Sequence, residues 1–277
     1  AAICLSSEPD ATNTRGNVKI GAVAYAPSAV TIFEGIKRHL NEGGLPSDYV
    51  LYSNYDSLVE ALEKGEVDIA WNTPLAHGKY HLRSGCESQT LVMRDVDVGV
   101  RSILVARADS GIESLGELRG KRLVLGSEQA AEATILPRHF LQAEGIDIEK
   151  LTVVSLDGEV DGEGNPCASP WHVIAALEAG RGEAGIVTTE AWKDFQADES
   201  RRENLREVWT SPAFSHCVFT ASAEFDRARA AKFINLMTAM KPSDTTCAEV
   251  LRLEGAGAWL PGSPEGFETL IEALKKR

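Results

Sequence analysis

Two short segments bring together side chains whose types could do chemistry. Ser127-Glu128-Gln129-Ala130 follows the apolar run Arg122 to Gly126 and offers a hydroxyl, a carboxylate and an amide where a helical pattern begins. Asn165-Pro166-Cys167-Ala168-Ser169-Pro170 carries a thiol on a segment stiffened by two prolines, just ahead of a second helical pattern that includes His172. A carboxylate and an amide oxygen accept hydrogen bonds from hydroxyls, while a thiolate binds soft centres. Cys167 therefore has three readings: a cleft thiol, buried filler, or half of a disulfide. Glu128, Glu190 and His172 could also be cast as acid or base. No nucleophile elbow, P-loop or GxGxxG accompanies them, so an enzyme is not expected and no cofactor is implied.

Other candidates are weaker. His77 and His81 stand four apart on one helical face, a spacing that suits a metal pair, but no third ligand is placed and a solvated face is the expectation. The acidic run Asp157 to Glu163 lacks the closing Glu of a calcium loop and reads as a surface loop. The five cysteines, Cys4, Cys86, Cys167, Cys217 and Cys247, include no CxxC pair, which speaks against structural zinc.

The elements that must position these residues alternate. Val18 to Ala24 reads as a strand, the turn Tyr25 to Ser28 follows, and Ala29 to Leu40 has helical spacing. Tyr49 to Tyr52 and Val67 to Trp71 read as strands, Ser57 to Lys64 and Pro74 to Arg83 as helices. The second half repeats the order: strand Arg122 to Gly126, helix to about Ala143, strand Thr152 to Leu156, helix His172 to Ala179, strand Ala184 to Val187. The repeat shows in the letters too, since EALEKGEVDIAWNTPLA at 60–76 aligns without gaps on AALEAGRGEAGIVTTEA at 175–191. An offset this long implies two similar α/β lobes rather than a solenoid. Arg101 to Arg107 and Cys217 to Ala221 read as the two crossings between lobes, giving lobe I at 1–99 and 212–277 and lobe II at 100–211. Alternating strands and helices predict parallel sheets, with ligand-binding loops at the carboxyl ends of strands. That rule selects Tyr25, Ser28, Trp71, Asn72, Thr73, Ser127, Glu128, Gln129, Cys167, Ser169, His172, Thr188, Thr189 and Glu190.

The chain has 277 residues, 43% hydrophobic and 25% charged, with a formal net charge of −13. Such a charge, without a Lys/Arg cluster, argues against nucleic acid as a partner, and no apolar stretch is long enough to span a bilayer. The start at Ala1-Ala2-Ile3-Cys4 reads as a mature secreted chain, with lipidation of Cys4 left open. Strand and helix directions place Cys4 and Cys86 on the same distal side of lobe I, where a disulfide is feasible.

The segments LVEALEKGEVDIAWNTPLAHGKYHLRSG, VGVRSILVARADSGIESLGELRGKRLVLGSEQAAEATILPRHFLQAEGID and AALEAGRGEAGIVTTEAW resemble the phosphonate and phosphite branch of periplasmic binding proteins, from Val18 to the C-terminus. The resemblance implies the type II periplasmic binding fold, a periplasmic monomer that closes about a hinge, and a small ligand in the cleft. Relatives that bind phosphonate or phosphite carry a Ser/Thr-rich turn after the KRLVLGS strand, whereas this chain has Glu128 there. Glu128 would repel an anion, or else serve only the dipole of the helix it opens. Combined with the cysteines, the departure is similar to the arsenite-binding branch that presents its ligand to a membrane sensor histidine kinase. On that reading Cys167 would engage the arsenic centre and Glu128 and Gln129 its hydroxyls. The alternatives are a phosphite- or phosphonate-binding component that serves an ABC permease, and a small-molecule enzyme on the same fold.

Overall fold

The computed structural model describes residues 16–160 and 168–276. The apolar run after Asn17 forms strand β1 (Val18–Val23), which leads through a turn to helix α1 (Ala29–Glu42). Next come β2 (Ser47–Tyr52), α2 (Tyr55–Glu63), β3 (Ile69–Asn72), α3 (Pro74–Arg83) and β4 (Ser88–Arg94). A 3-10 turn at Asp95–Asp97 precedes β5 (Ser102–Arg107), followed by β6 (Arg122–Leu125), α4 (Leu136–Ala143), β7 (Thr152–Ser155), α5 (Pro170–Glu178), β8 (Ala184–Thr188), α6 (Thr189–Ala197) and β9 (Leu205–Thr210). The chain returns through β10 (Val218–Ser222) and closes with α7 (Arg227–Thr238), α8 (Thr245–Leu253), β11 (Trp259–Pro261) and α9 (Glu268–Lys275).

These strands form two sheets, one in each lobe. The first has order β11-β4-β10-β3-β1-β2 and the second β7-β6-β8-β5-β9. Each is mixed rather than wholly parallel. β1 runs parallel to β2 and β3, but the returning β10 is antiparallel to β3 and β4, and β5 is antiparallel to β8 and β9. A strand arriving from the other lobe enters its sheet from the cleft end, opposite to strands built by right-handed crossovers. The repeat read in the letters is structural: an offset of 115 carries Thr73 onto Thr188, and each threonine caps a helix directly after a central strand. Both hydroxyls accept a backbone N–H, from Ala76 at 3.3 Å and from Ala191 at 3.3 Å.

The predicted helix after β6 starts differently. Residues Ala131–Ile135 form a π turn before α4. Pro137 cannot donate a backbone hydrogen bond and its ring crowds the preceding turn, so the chain widens there. The Ser102 hydroxyl takes up the Glu132 carbonyl at 2.6 Å.

Apolar burial holds the lobes separately and then to each other. Ile20, Ile32, Phe33, Phe219, Phe233 and Trp259 centre the first core; Val105, Val124, Val173, Leu177 and Phe195 belong to the second. A further cluster joins Met93, Phe267 and Leu270 of lobe I to Ile135 and Leu136 of lobe II, with Phe214 between. Such side chains stabilise by about 1.5–3 kcal/mol each when fully buried. α9 reaches this junction because it lies directly on α3 at Gly78, where an added Cβ would stand 2.6 Å from Leu274 Cδ1. Gly266, at φ +87°, lets the backbone pass the crossing at Ser215, whose N–H donates to the Gly266 carbonyl at 3.0 Å.

The His77/His81 face is not solvated. His77 is 2% exposed, its Nδ1 is 2.9 Å from the Thr220 hydroxyl, and its ring packs on Phe267 at 4.5 Å between centroids. His81 Nδ1 pairs instead with the Ser88 hydroxyl at 2.8 Å. Both are packing residues. Burial, helped by the His81 charge, lowers the His77 pKa to about 3. The folded protein therefore refuses a proton that the unfolded chain accepts below about pH 6.5, and stability is lost as pH falls through that window. Between pH 7 and pH 5 the wild-type chain should lose about 2 kcal/mol more than His77→Gln, measured by urea denaturation at both pH values. Equal losses in the two proteins would refute this assignment.

Candidate functional site

A cavity of about 480 Å³ opens between the lobes. Three chain turns line it: Ser53 to Asp56 at the start of α2, Thr73 to Ala76 at the start of α3, and Gln129 to Glu132 at the π turn before α4. Lys79, Ser127 and His216 complete its polar lining. Asn54 caps α2 by accepting the Ser57 N–H at 2.8 Å, and Thr73 caps α3 with Pro74 in its first turn. The remaining first-turn N–H groups have no acceptor within their helices and form the positive end of the dipole, which is the geometry that holds anions.

Each carboxylate lining the cavity has a cation. Lys79 Nζ lies 2.7 Å from Asp56 Oδ1, and the Lys79 hydrogen bond and charge hold the Asp56 carboxyl below its usual range. Glu132 Oε2 is 3.3 Å from His216 Nε2. Burial would raise the Glu132 carboxyl, but the His216 hydrogen bond and charge outweigh it and hold it below its usual value.

His216 leads behind the cavity wall into the hinge. Its Nδ1 is 3.1 Å from Asp97 Oδ1 and 3.2 Å from Cys217 Sγ. Burial alone would lower the His216 pKa, yet Cys217, Asp97 and Glu132 together raise it well above the ordinary value, so the ring is an imidazolium at neutral pH. Asp97, 2% exposed, also receives Arg94 Nε at 2.6 Å and Nη2 at 2.9 Å. Arg94 continues to Glu254 Oε2 at 3.1 Å, and Glu254 Oε1 accepts the Tyr25 hydroxyl at 2.6 Å. Burial holds the Glu254 carboxyl above its usual value despite these donors. Burial, followed by the Glu254 charge, raises the Tyr25 hydroxyl. The network runs from lobe II through the crossings into lobe I.

Of the residues selected from sequence, Thr73, Ser127 and Gln129 line the cavity. Glu128 does not; its side chain is exposed, and Glu132, four residues later, is the carboxylate that faces the cleft. Tyr25 is turned to Glu254, and Ser28 stands at the start of α1 without a capping bond. Trp71 is a core residue, 4.6 Å from the Phe219 ring and beneath Arg94 at 5.4 Å. Asn72 is fully buried, and neither its amide nitrogen nor its oxygen finds a partner. Ser169 and His172 pair with each other at 2.7 Å at the start of α5. Thr188 caps α6, the Thr189 hydroxyl donates to the Arg101 carbonyl at 3.0 Å, and Glu190 is exposed; none of the three lines this cavity. Cys4 and Cys167 lie outside the described residues, and Cys86 is an exposed free thiol.

Sequence reasoning passed over Ser53 to Asp56, Lys79, Glu132 and His216. The first group sits at the carboxyl end of β2, where the strand-end rule would have found it. His216 carries no local signal, because only the meeting of the two crossings brings Asp97 and Glu132 to it.

The architecture is that of a two-lobed solute-binding protein. Residues 24–265 match the family model for the periplasmic substrate-binding protein of phosphonate ABC transporters, and the chain belongs to that family. It is 22% identical over 187 residues to the probable ABC transporter phosphite-binding protein PhnD1 of Prochlorococcus marinus, a match covering 64% of this chain and 59% of that protein. The fold is similar to that of PhnD1 from the same organism in complex with methylphosphonate, with a TM-score of 0.66 and 18% identity over 94% of this chain and 97% of the other. It is also similar to XAC2383 from Xanthomonas citri bound to ATP, with a TM-score of 0.73 and 17% identity over 95% and 98% of the two chains. The family is one of periplasmic substrate-binding proteins, and the relatives named here are binding proteins of ABC transporters rather than enzymes. Among the described residues no helix is long and apolar enough to cross a membrane.

Arg94→Met tests the hinge network, because it leaves Asp97 and Glu254 buried without their shared cation. The expected cost is about 3–5 kcal/mol of unfolding free energy at neutral pH. A loss below about 1 kcal/mol in denaturant titration would show that the network contributes little.

Proposed function

We propose that this chain captures a small phosphonate-type oxyanion in the cleft between its lobes and delivers it to an ABC permease. The observation that carries this reading is the convergence of three helix starts, at Ser53 to Asp56, Thr73 to Ala76 and Gln129 to Glu132, on one interlobe cavity. Relatives named for phosphite binding and crystallised with methylphosphonate support it. The cavity carboxylates do not oppose an anion as bare charges, since Lys79 offsets Asp56 and the His216 imidazolium offsets Glu132. Two of the three helix starts belong to lobe I and one to lobe II, so an anion touching all of them gains most when the lobes close about the crossings at 95–101 and 211–217.

The sensor-kinase reading rested on an exclusion of anions by Glu128. Glu128 is exposed and stands off this cavity, so that exclusion has no support, and Cys167 lies outside the described residues.

Calorimetric titration with methylphosphonate, phosphite, phosphate and arsenite separates the readings. One-to-one binding of an oxyanion is expected, with Lys79→Ala weakening it at least fivefold and added salt weakening it further. Binding of arsenite alone, with none of the oxyanions taken up, would overturn the proposal.

A further inference from the structure

We propose that Asp97, His216 and Cys217 form a site for one thiophilic divalent cation, of which Zn²⁺ is the type, at the point where the two crossings meet. The three donor atoms, a carboxylate oxygen, an imidazole nitrogen and a sulfur, all lie within 4.8 Å of one another. His216 Nδ1 is 3.1 Å from Asp97 Oδ1 and 3.2 Å from Cys217 Sγ. Tetrahedral zinc, with bonds of about 2.0 Å to nitrogen and oxygen and about 2.3 Å to sulfur, sets those separations at about 3.3 and 3.5 Å. A cation in place of the Nδ1 proton thus requires the two pairs that share Nδ1 to open by only a few tenths of an ångström, with Oδ1 and Sγ already within 4.8 Å of each other. A mixed N, O and S donor set favours zinc-like ions over magnesium or calcium, which take oxygen donors.

The groups around the donors are arranged as metal-site supports are. Glu132 Oε2 faces the other ring nitrogen of His216 at 3.3 Å, in position to accept the Nε2 proton and so leave Nδ1 free as a ligand. Arg94 fixes both Asp97 oxygens, Oδ2 at 2.6 Å and Oδ1 at 2.9 Å, and Oδ1 also faces His216 Nδ1 at 3.1 Å, where the cation would take the place of the proton. The local charge also favours a cation: Asp97 and Glu254 pair with Arg94 and Glu132 pairs with His216, so three carboxylates meet one permanent positive charge. Binding releases the Nδ1 and Sγ protons to solvent and changes no oxidation state. Asp97 and Cys217 are buried while His216 is partly open to the cavity, so the cation enters from the cleft. Three protein donors leave a fourth position for water or a cavity ligand. Because Asp97 lies on one crossing and His216 and Cys217 on the other, the ion would bind the two strands of the hinge together. The inference does not depend on which ligand the cleft takes.

The test uses the full chain, reduced and stripped of metal, titrated with Co²⁺ and then Zn²⁺. One equivalent of Co²⁺ should give tetrahedral d–d bands and a thiolate charge-transfer band, both removed by one equivalent of Zn²⁺. Cys217→Ser should abolish the charge-transfer band and His216→Gln should weaken Zn²⁺ at least a hundredfold, while Cys86→Ser and Cys247→Ser leave both unchanged. X-ray absorption on the Zn²⁺-loaded wild-type chain needs no variant to fold, and should show one sulfur at about 2.3 Å among nitrogen and oxygen neighbours at about 2.0 Å. Absence of sulfur from the zinc shell, two or more sulfurs, or a thiolate band that survives Cys217→Ser would each overturn the assignment.

Discussion

Holding two buried carboxylates and the cavity-facing Glu132 beside two cations at the hinge is the constraint around which the rest of this protein is arranged. Asp97, Glu132 and Glu254 lose water that only well-placed donors can replace, and Arg94 and His216 supply them. The donors come from the end of β4 and from the return crossing, so satisfying the charges also fixes how the two crossings lie against each other. Backbone bonds follow the same register: Phe214 donates to Val100, His216 to Asp97, and Ser211 to Ser102. A slip of either crossing by one residue would turn the polar side chains away from one another and leave charges buried without partners.

The hinge network and the cavity share His216, and through it Glu132. This sharing explains how a cleft lined with acidic side chains can still present a positive face. The local field there comes from helix ends and paired side chains, whereas the net charge of −13 is a sum over the whole sequence. Two helix starts from lobe I meet one from lobe II, and the π turn forced by Pro137 sets the direction of the third.

The internal repeat makes the two halves alike without making them equivalent. Thr73 and Thr188 cap matching helices after matching strands, yet Thr73 lines the cavity and Thr188 does not. In the second lobe the turn that lines the cavity follows β6, at Ser127 and Gln129 to Glu132, although β8 runs parallel beside it. The repeated helix, strand and cap thus support one shared site from unequal parts.

The sequence alone determined the elements and their pairing into two lobes, because apolar periodicity, proline-opened helices and threonine caps are properties of neighbouring residues. Pro74 to Arg83 was legible to the residue, and Thr73, Ser127 and Gln129, picked out at strand ends, lie on the cavity while Glu128 between the last two does not. Only the tertiary structure decided which carboxylate matters. Glu128 and Glu132 are four residues apart, but Glu128 lies in the exposed turn before the helix while Glu132 lies in the widened turn that faces His216. It also decided that Trp71 packs under Arg94 in the core instead of lining the cleft, and that His77 is buried against Thr220 and Phe267. Strand direction was misread for the same reason: β5 and β10 arrive from the opposite lobe, so their antiparallel pairing depends on a path that no local window contains. The pairs Asp97–His216 and Glu132–His216 span 119 and 84 residues, and contacts of that length exist only once both crossings are in place.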